Sequence, residues 1–118
     1  MEATDGRLLR IYIAESDKHE GRPLYQWLLR EARERGLSGG TVLRGLAGYG
    51  TNSRLHTAKI MRLAADLPVV VEFVDVTEKI AAFLPVVDAA VGEGLATLEK
   101  VEMRYYKRDG DTDEDDET

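Results

Sequence analysis

LPVVVEFVD, residues 67–75, decides how the chain must be read. The run is strand-sized and rich in β-branched residues. Val69, Val71 and Phe73 fall on one face of a strand, and Val70 and Val74 on the other. An antiparallel sheet with one wet face alternates apolar and polar residues. This strand is apolar on both sides, so both of its faces need cover.

Working outward, Thr77 is the expected N-cap of a helix after the strand. Ile80, Phe83, Leu84, Val87 and Val91 form its apolar stripe. Pro85 interrupts that stripe and predicts a kink or two short turns. Gly92 and Gly94 end the helix, and Ala96 to Tyr105 is a strand. Leu98 is out of phase with Val101, Met103 and Tyr105, which predicts a bulge.

Toward the N-terminus, RLLRIYIA, residues 7–14, is a strand. Leu9, Ile11 and Ile13 oppose Leu8, Arg10 and Tyr12 on it. Glu15 to Gly21 is a polar connection, and Pro23 suits the first turn of a helix. Leu24, Trp27, Leu28 and Ala32 make that helix's stripe, Gly36 stops it, and Thr41 to Leu46 is another strand.

The element order is therefore β-α-β-β-α-β. Right-handed crossovers give an α+β, ferredoxin-like sandwich, a four-stranded antiparallel sheet with both helices on one face. Two helices cover only one face, yet the strands are apolar on both. A valine left exposed forgoes roughly 1.5 kcal/mol of burial. The pattern predicts that copies of the chain cover each other's second face.

With 118 residues the chain is expected to be one domain. Residues 1–6 read as an N-terminal extension, 7–106 as the folded domain and 107–118 as a tail. The net charge of −6 is concentrated in DGDTDEDDET, residues 109–118, which holds seven acids and no base. Without it the chain is near neutral. The composition predicts a disordered, solvating tail, with docking on a basic patch as the alternative.

No basic stripe is interleaved with aromatics, so nucleic acid is not an expected partner. There is no cysteine, and the only histidines, His19 and His56, belong to no cluster with ligand spacing. No metal site is expected; Asp75 and Glu78 read as cap or dipole partners at a helix start. The first ten residues carry no signal-peptide core and no apolar run approaches a membrane span, so the expected location is cytoplasmic.

GYGTNSRLHTAKI, residues 48–60, is too long and polar for a tight turn. Gly48 and Gly50 allow close backbone approach to a ligand. Tyr49, Thr51, Asn52 and Ser53 surround them, and Arg54, His56 and Lys59 add positive charge or donors suited to a phosphate or carboxylate. An ordinary solvated surface loop is the alternative, and Leu55 to Leu63 has the spacing of a short helix. His56 has no acid in the loop to orient it, so no catalytic residue is assigned. Gly92 and Gly94 are either a ligand-facing turn or a helix stop. Arg104 is either a ligand contact or a solvated strand end.

These stretches, LRIYIAESDKHEGRPLYQWLL (residues 9–29), GGTVLRGLAGYGTNSRLHTAKIMRLAADLPVVVEFVD (residues 39–75) and EKIAAFLPVVDAAVGEGLATLEKVEM (residues 78–103), resemble the PII-like signalling proteins. More closely, they are similar to the family known as domain of unknown function 190. The resemblance implies a homotrimer whose sheets face its interior and a small-molecule effector, commonly an adenine nucleotide, in the cleft between subunits. It also implies a loop, here residues 48–62, that regulates a partner such as an ion channel or transporter.

Gly48-Tyr49-Gly50 then corresponds to the foot of that loop, residues 91–95 to the phosphate-facing loop and Arg104 to the basic strand end. No base follows Gly92 and Gly94, which leaves a monophosphate, a cyclic nucleotide or another small anion open. No cofactor beyond such a ligand is implied. The rival readings are a small enzyme using the same cleft through Arg54 and His56, and a structural or metal-handling trimer.

Overall fold

A computed structural model describes residues 3–49, 55–56 and 66–106. The elements are β1 (Ala3–Ala14), β2 (Lys18–His19), β3 (Arg22–Pro23), α1 (Leu24–Glu34), β4 (Gly40–Arg44), β5 (Gly48–Tyr49), β6 (Leu55–His56), β7 (Pro68–Val76), α2 (Thr77–Ala90) and β8 (Leu95–Arg104). Four of the strands form one antiparallel sheet in the order β4-β7-β1-β8. This is the ferredoxin-like arrangement expected from the element order.

Helix α1 packs on β4 and β7, and α2 on β7 and β1. Leu9, Ile11, Ile13, Val69, Val71 and Phe73 are buried between the sheet and the helices. They meet Leu24, Leu28 and Ala32 from α1 and Ile80, Phe83 and Val87 from α2. Phe73 and Phe83 touch edge to face, their ring centroids 5.3 Å apart. The stripes read from the sequence are the buried ones, except that Trp27, Leu84 and Val91 are half-buried; Trp27 lies against the His19 ring, centroids 4.4 Å apart.

Several local expectations are corrected. Strand β1 starts at Ala3, earlier than Arg7, because Ala3 to Gly6 pair with β8. The connection after β1 contains the unexpected β2–β3 hairpin, turning through Glu20 (φ 52°) and Gly21 (φ 79°). Thr77 is not a cap: Val76 occupies that position, and no side chain bonds the helix start. Helix α2 continues through the exposed Pro85, so of the two alternatives there the pair of short turns fails.

Strand β8 pairs with β1 in unbroken register from Ala3↔Arg104 to Tyr12↔Leu95, so there is no bulge. Leu98 lies on the helix side and Val101 and Met103 on the open side. Leu98 stays exposed, so its phase needs no compensating extra residue. The end of α1 is as expected: Gly36 N–H donates to Arg33 O and Leu37 N–H to Ala32 O, the paired bonds of a Schellman stop.

Candidate functional site

The register places the residues of the uncovered sheet face in rows that cross all four strands. Nearest the exit of β4 lies the row Leu43–Val70–Tyr12–Leu95. It is apolar, and Leu43, Tyr12 and Leu95 are 50%, 39% and 55% exposed. The next row is polar: Thr41–Glu72–Arg10–Thr97. Arg10 Nε donates to Glu72 Oε2 at 2.8 Å, and Arg10 Nη1 to Glu99 Oε1 at 2.5 Å. The bond to Glu72 raises the Arg10 pKa above its usual value, helped by the charge of Glu99, so the guanidinium stays charged.

The two ends of the sheet differ in chemistry. At one end Glu15 pairs with Arg44, Glu15 N–H donates to Leu67 O (2.8 Å) and Gly45 N–H to Pro68 O (2.7 Å). These bonds brace the stems of the long loop. Gly48 and Tyr49 sit here, Gly48 paired through its backbone with His56 and Tyr49 with Leu55. The open possibility of a helix from Leu55 therefore fails for its first two residues, which are strand. Gly50, Thr51, Asn52, Ser53, Arg54 and Lys59 lie outside the described residues.

Gly92 and Gly94 are at this same end. A side chain at Gly94 would meet the Tyr12 carbonyl oxygen at 2.5 Å, and its φ of 155° adds to the requirement for glycine. Gly94 is therefore held against the end of β1 by close backbone contact.

Arg104 is at the opposite end, the last of the ten residues of β8 and about 30 Å from Gly94. It lines a cavity of about 620 Å³ over the start of β4 and the close of β8. The wall is the strap Ser38–Thr41; Val74, Val101 and Met103 supply apolar surface, and Glu72, Glu102 and Tyr105 add polar groups. Asp75, 3% exposed, fixes the strap: its carboxylate accepts from Ser38 N–H (2.8 Å) and Val76 N–H (2.7 Å). Lys79 Nζ donates to Gly36 O (3.1 Å), and the Ser38 and Tyr105 hydroxyls are 3.2 Å apart. Asp75 thus ties the strap to the end of β7 through backbone N–H groups and makes no cap bond to α2.

Of the residues singled out from the sequence, Gly48, Tyr49, Gly92 and Gly94 share one end of the sheet and Arg104 lies at the other. The strap and Glu72 were missed. Backbone and carboxylate contributions from three distant segments leave no local motif, although Gly40, whose added side chain would meet the Phe73 ring at 2.6 Å, was a usable signal for close approach.

The sequence matches a family model over residues 6–103: DUF190, described as an uncharacterized ACR. The chain belongs to the DUF190 family. A UPF0166 protein of Aquifex aeolicus (strain VF5) is 45% identical over 105 residues, covering 89% of this chain and 99% of that protein. A UPF0166 protein of Methanocaldococcus jannaschii is 39% identical over 79 residues, covering 67% of this chain and 72% of that protein.

Among solved structures, CPII of Thiomonas intermedia K12 has the same fold. CPII is a nitrogen regulatory PII-like protein, captured with ADP, AMP and bicarbonate. The likeness has a TM-score of 0.59 at 18% identity, covering 86% of this chain and 91% of CPII. A second CPII structure, bound to ADP and bicarbonate, gives a TM-score of 0.57. This DUF190 chain thus has a ferredoxin-like, PII-like fold. Among its described residues no helix is long and apolar enough to cross a membrane, and no cluster has the makings of a metal site.

Proposed function

We propose that the chain is a cytoplasmic, non-enzymatic PII-like regulator that works as a homotrimer. It senses a nucleotide or another small anion in the cleft between copies, and through the loop 48–62 it acts on a partner such as an ion channel or transporter. One observation carries this reading: the sheet has a candidate half-site at each end, too far apart to serve one ligand within one chain. The glycine end, with Gly48 and Gly94, offers backbone to an anion. The strap end offers apolar surface, carboxylates and Arg104, which suit a nucleoside. A head-to-tail arrangement of copies brings the two halves together, and the uncovered apolar row supplies the reason to associate.

In this arrangement Gly48, Tyr49, Gly50, Gly92 and Gly94 face the phosphate. Thr51, Asn52, Ser53, Arg54, His56 and Lys59 follow it in the loop, and Arg104 of the neighbouring copy closes the cleft. The ADP- and AMP-bound state of CPII supports an adenine nucleotide as the first ligand class to try. Ligand-dependent ordering of the loop would change affinity for the partner only insofar as the ligand binds the two loop states differently.

Calorimetric titration with AMP, ADP, ATP and cyclic AMP tests the reading, alongside native mass spectrometry for stoichiometry. The expected result is a trimer that binds at least one nucleotide below millimolar. A folded monomer, or a trimer indifferent to the whole panel, refutes the nucleotide-sensing proposal.

A further inference from the structure

Glu72 belongs to two structures at once. It lines the strap-end cavity, and it accepts the Arg10 Nε hydrogen bond on the open face of the sheet. Through Arg10 it is tied to Glu99, so the network Glu72–Arg10–Glu99 runs across β7, β1 and β8. A carboxylate has two oxygens and can accept on both. One is taken by Arg10 Nε, while the other arm of the guanidinium holds Glu99, so the Glu72 carboxylate is tethered at one oxygen and its second is left to accept elsewhere.

We propose that Arg10 is a positioning residue for the ligand of this cavity. It does not touch the ligand. It orients the Glu72 carboxylate to accept from a hydroxyl or amine donor of the bound molecule, which selects a donor-bearing nucleoside over a bare anion. Because Arg10 stands on the face that neighbouring copies are to cover, it also links the occupied cavity to the interior of the assembly. This rests on the nucleotide reading above.

The geometry favours orientation over simple support. Arg10 is about one-third exposed and its contacts are polar, so the apolar core does not depend on it. The neighbouring rows hold their apolar residues independently of its charge. A side chain whose bonded partners among the described residues are two carboxylates exerts its effect on where those carboxylates lie.

The test is a double-mutant cycle read as AMP affinity by calorimetry. Glu72→Gln and Arg10→Gln should each weaken AMP binding about tenfold, the size of one charge-assisted hydrogen bond. The double variant should bind no more weakly than Glu72→Gln alone, since Arg10 has no route to the ligand except Glu72. Arg10→Lys, which keeps the charge and loses the fork, should lie between wild type and Arg10→Gln. Sedimentation and thermal melting identify any variant that has lost its assembly, and Arg10→Lys then carries the comparison. If the two losses multiply in the double variant, or Arg10 variants bind AMP like wild type, the positioning role is wrong. If wild type binds none of the four nucleotides of the panel above, the nucleotide reading falls first and takes this inference with it; if it binds one other than AMP, the cycle is read with that nucleotide.

Discussion

On the helix-covered face of the sheet Leu9, Ile11, Val71 and Phe73 are sealed from solvent. One step along the same strands, Leu8, Tyr12, Val70 and Val74 point the other way and remain half-buried or exposed. Alternation along a strand decides which face a side chain takes. Whether that face is buried depends on what lies over it, and two helices of 11 and 14 residues lie over only one. The second face therefore carries apolar side chains, beside its polar row, without the cover of an interior.

The sharpest way to break the comparison is to remove a side chain from the sealed face. Phe73 is 1% exposed and packs edge to face on Phe83. Phe73→Ala should cost about 3–5 kcal/mol of folding free energy, the transfer term plus the cavity left between the rings. Urea unfolding measures it. A loss near 1 kcal/mol would mean that the two faces differ much less than their burial implies.

The same substitution logic on the open face should move a different quantity. Leu95 ends the apolar row Leu43–Val70–Tyr12–Leu95 and is 55% exposed. Leu95→Ser should change the stability of the isolated fold by less than about 1 kcal/mol. Its association with further copies should weaken by about 2 kcal/mol, roughly 30-fold. Sedimentation velocity over a dilution series separates the two effects. A destabilised fold with unchanged association would show that the row serves the monomer.

The two faces were also unequally legible. The sealed face followed from periodicity: the stripes Leu24, Leu28, Ala32 and Ile80, Phe83, Val87 meet the odd-numbered residues of β1 and β7, as 3.6- and 2-residue repeats require. The doubly apolar reading of residues 67–75 survives as well, because Val70 and Val74 do lie opposite Val69, Val71 and Phe73.

What escaped the sequence has physical reasons. A bulge was expected at Leu98 on the assumption that every apolar residue of β8 shares one side, and β8 instead carries them on both. Thr77 looked like a cap because its side chain suits one, but the backbone turns into the helix one residue earlier. The strap-end cavity was invisible because Ser38, Glu72 and Tyr105 converge only after β4 and β7 pair and β8 returns along β1. The Glu72–Arg10–Glu99 network is equally non-local: residues 10, 72 and 99 become neighbours through register alone.

The smallest expected effect concerns charge on the open face. Among the described residues whose side chains the register places there, the ionised groups are Arg10, Glu72 and Glu99. Each copy thus brings one excess negative charge to a surface that association would cover. Taking an unbalanced charge out of water is unfavourable. Glu99→Gln keeps the size of the side chain and an oxygen for Arg10 to bond, while leaving Arg10 and Glu72 as a balanced pair. Association at pH 7 should therefore tighten a few-fold. The folding free energy of the isolated chain should stay within about 0.5 kcal/mol of wild type, since Glu99 is more than half exposed and its pair is solvated. A dilution series of the variant beside wild type measures this. Weaker association would show that Glu99 is matched by a cation of the neighbouring copy, so that the open face is balanced across copies and not within one.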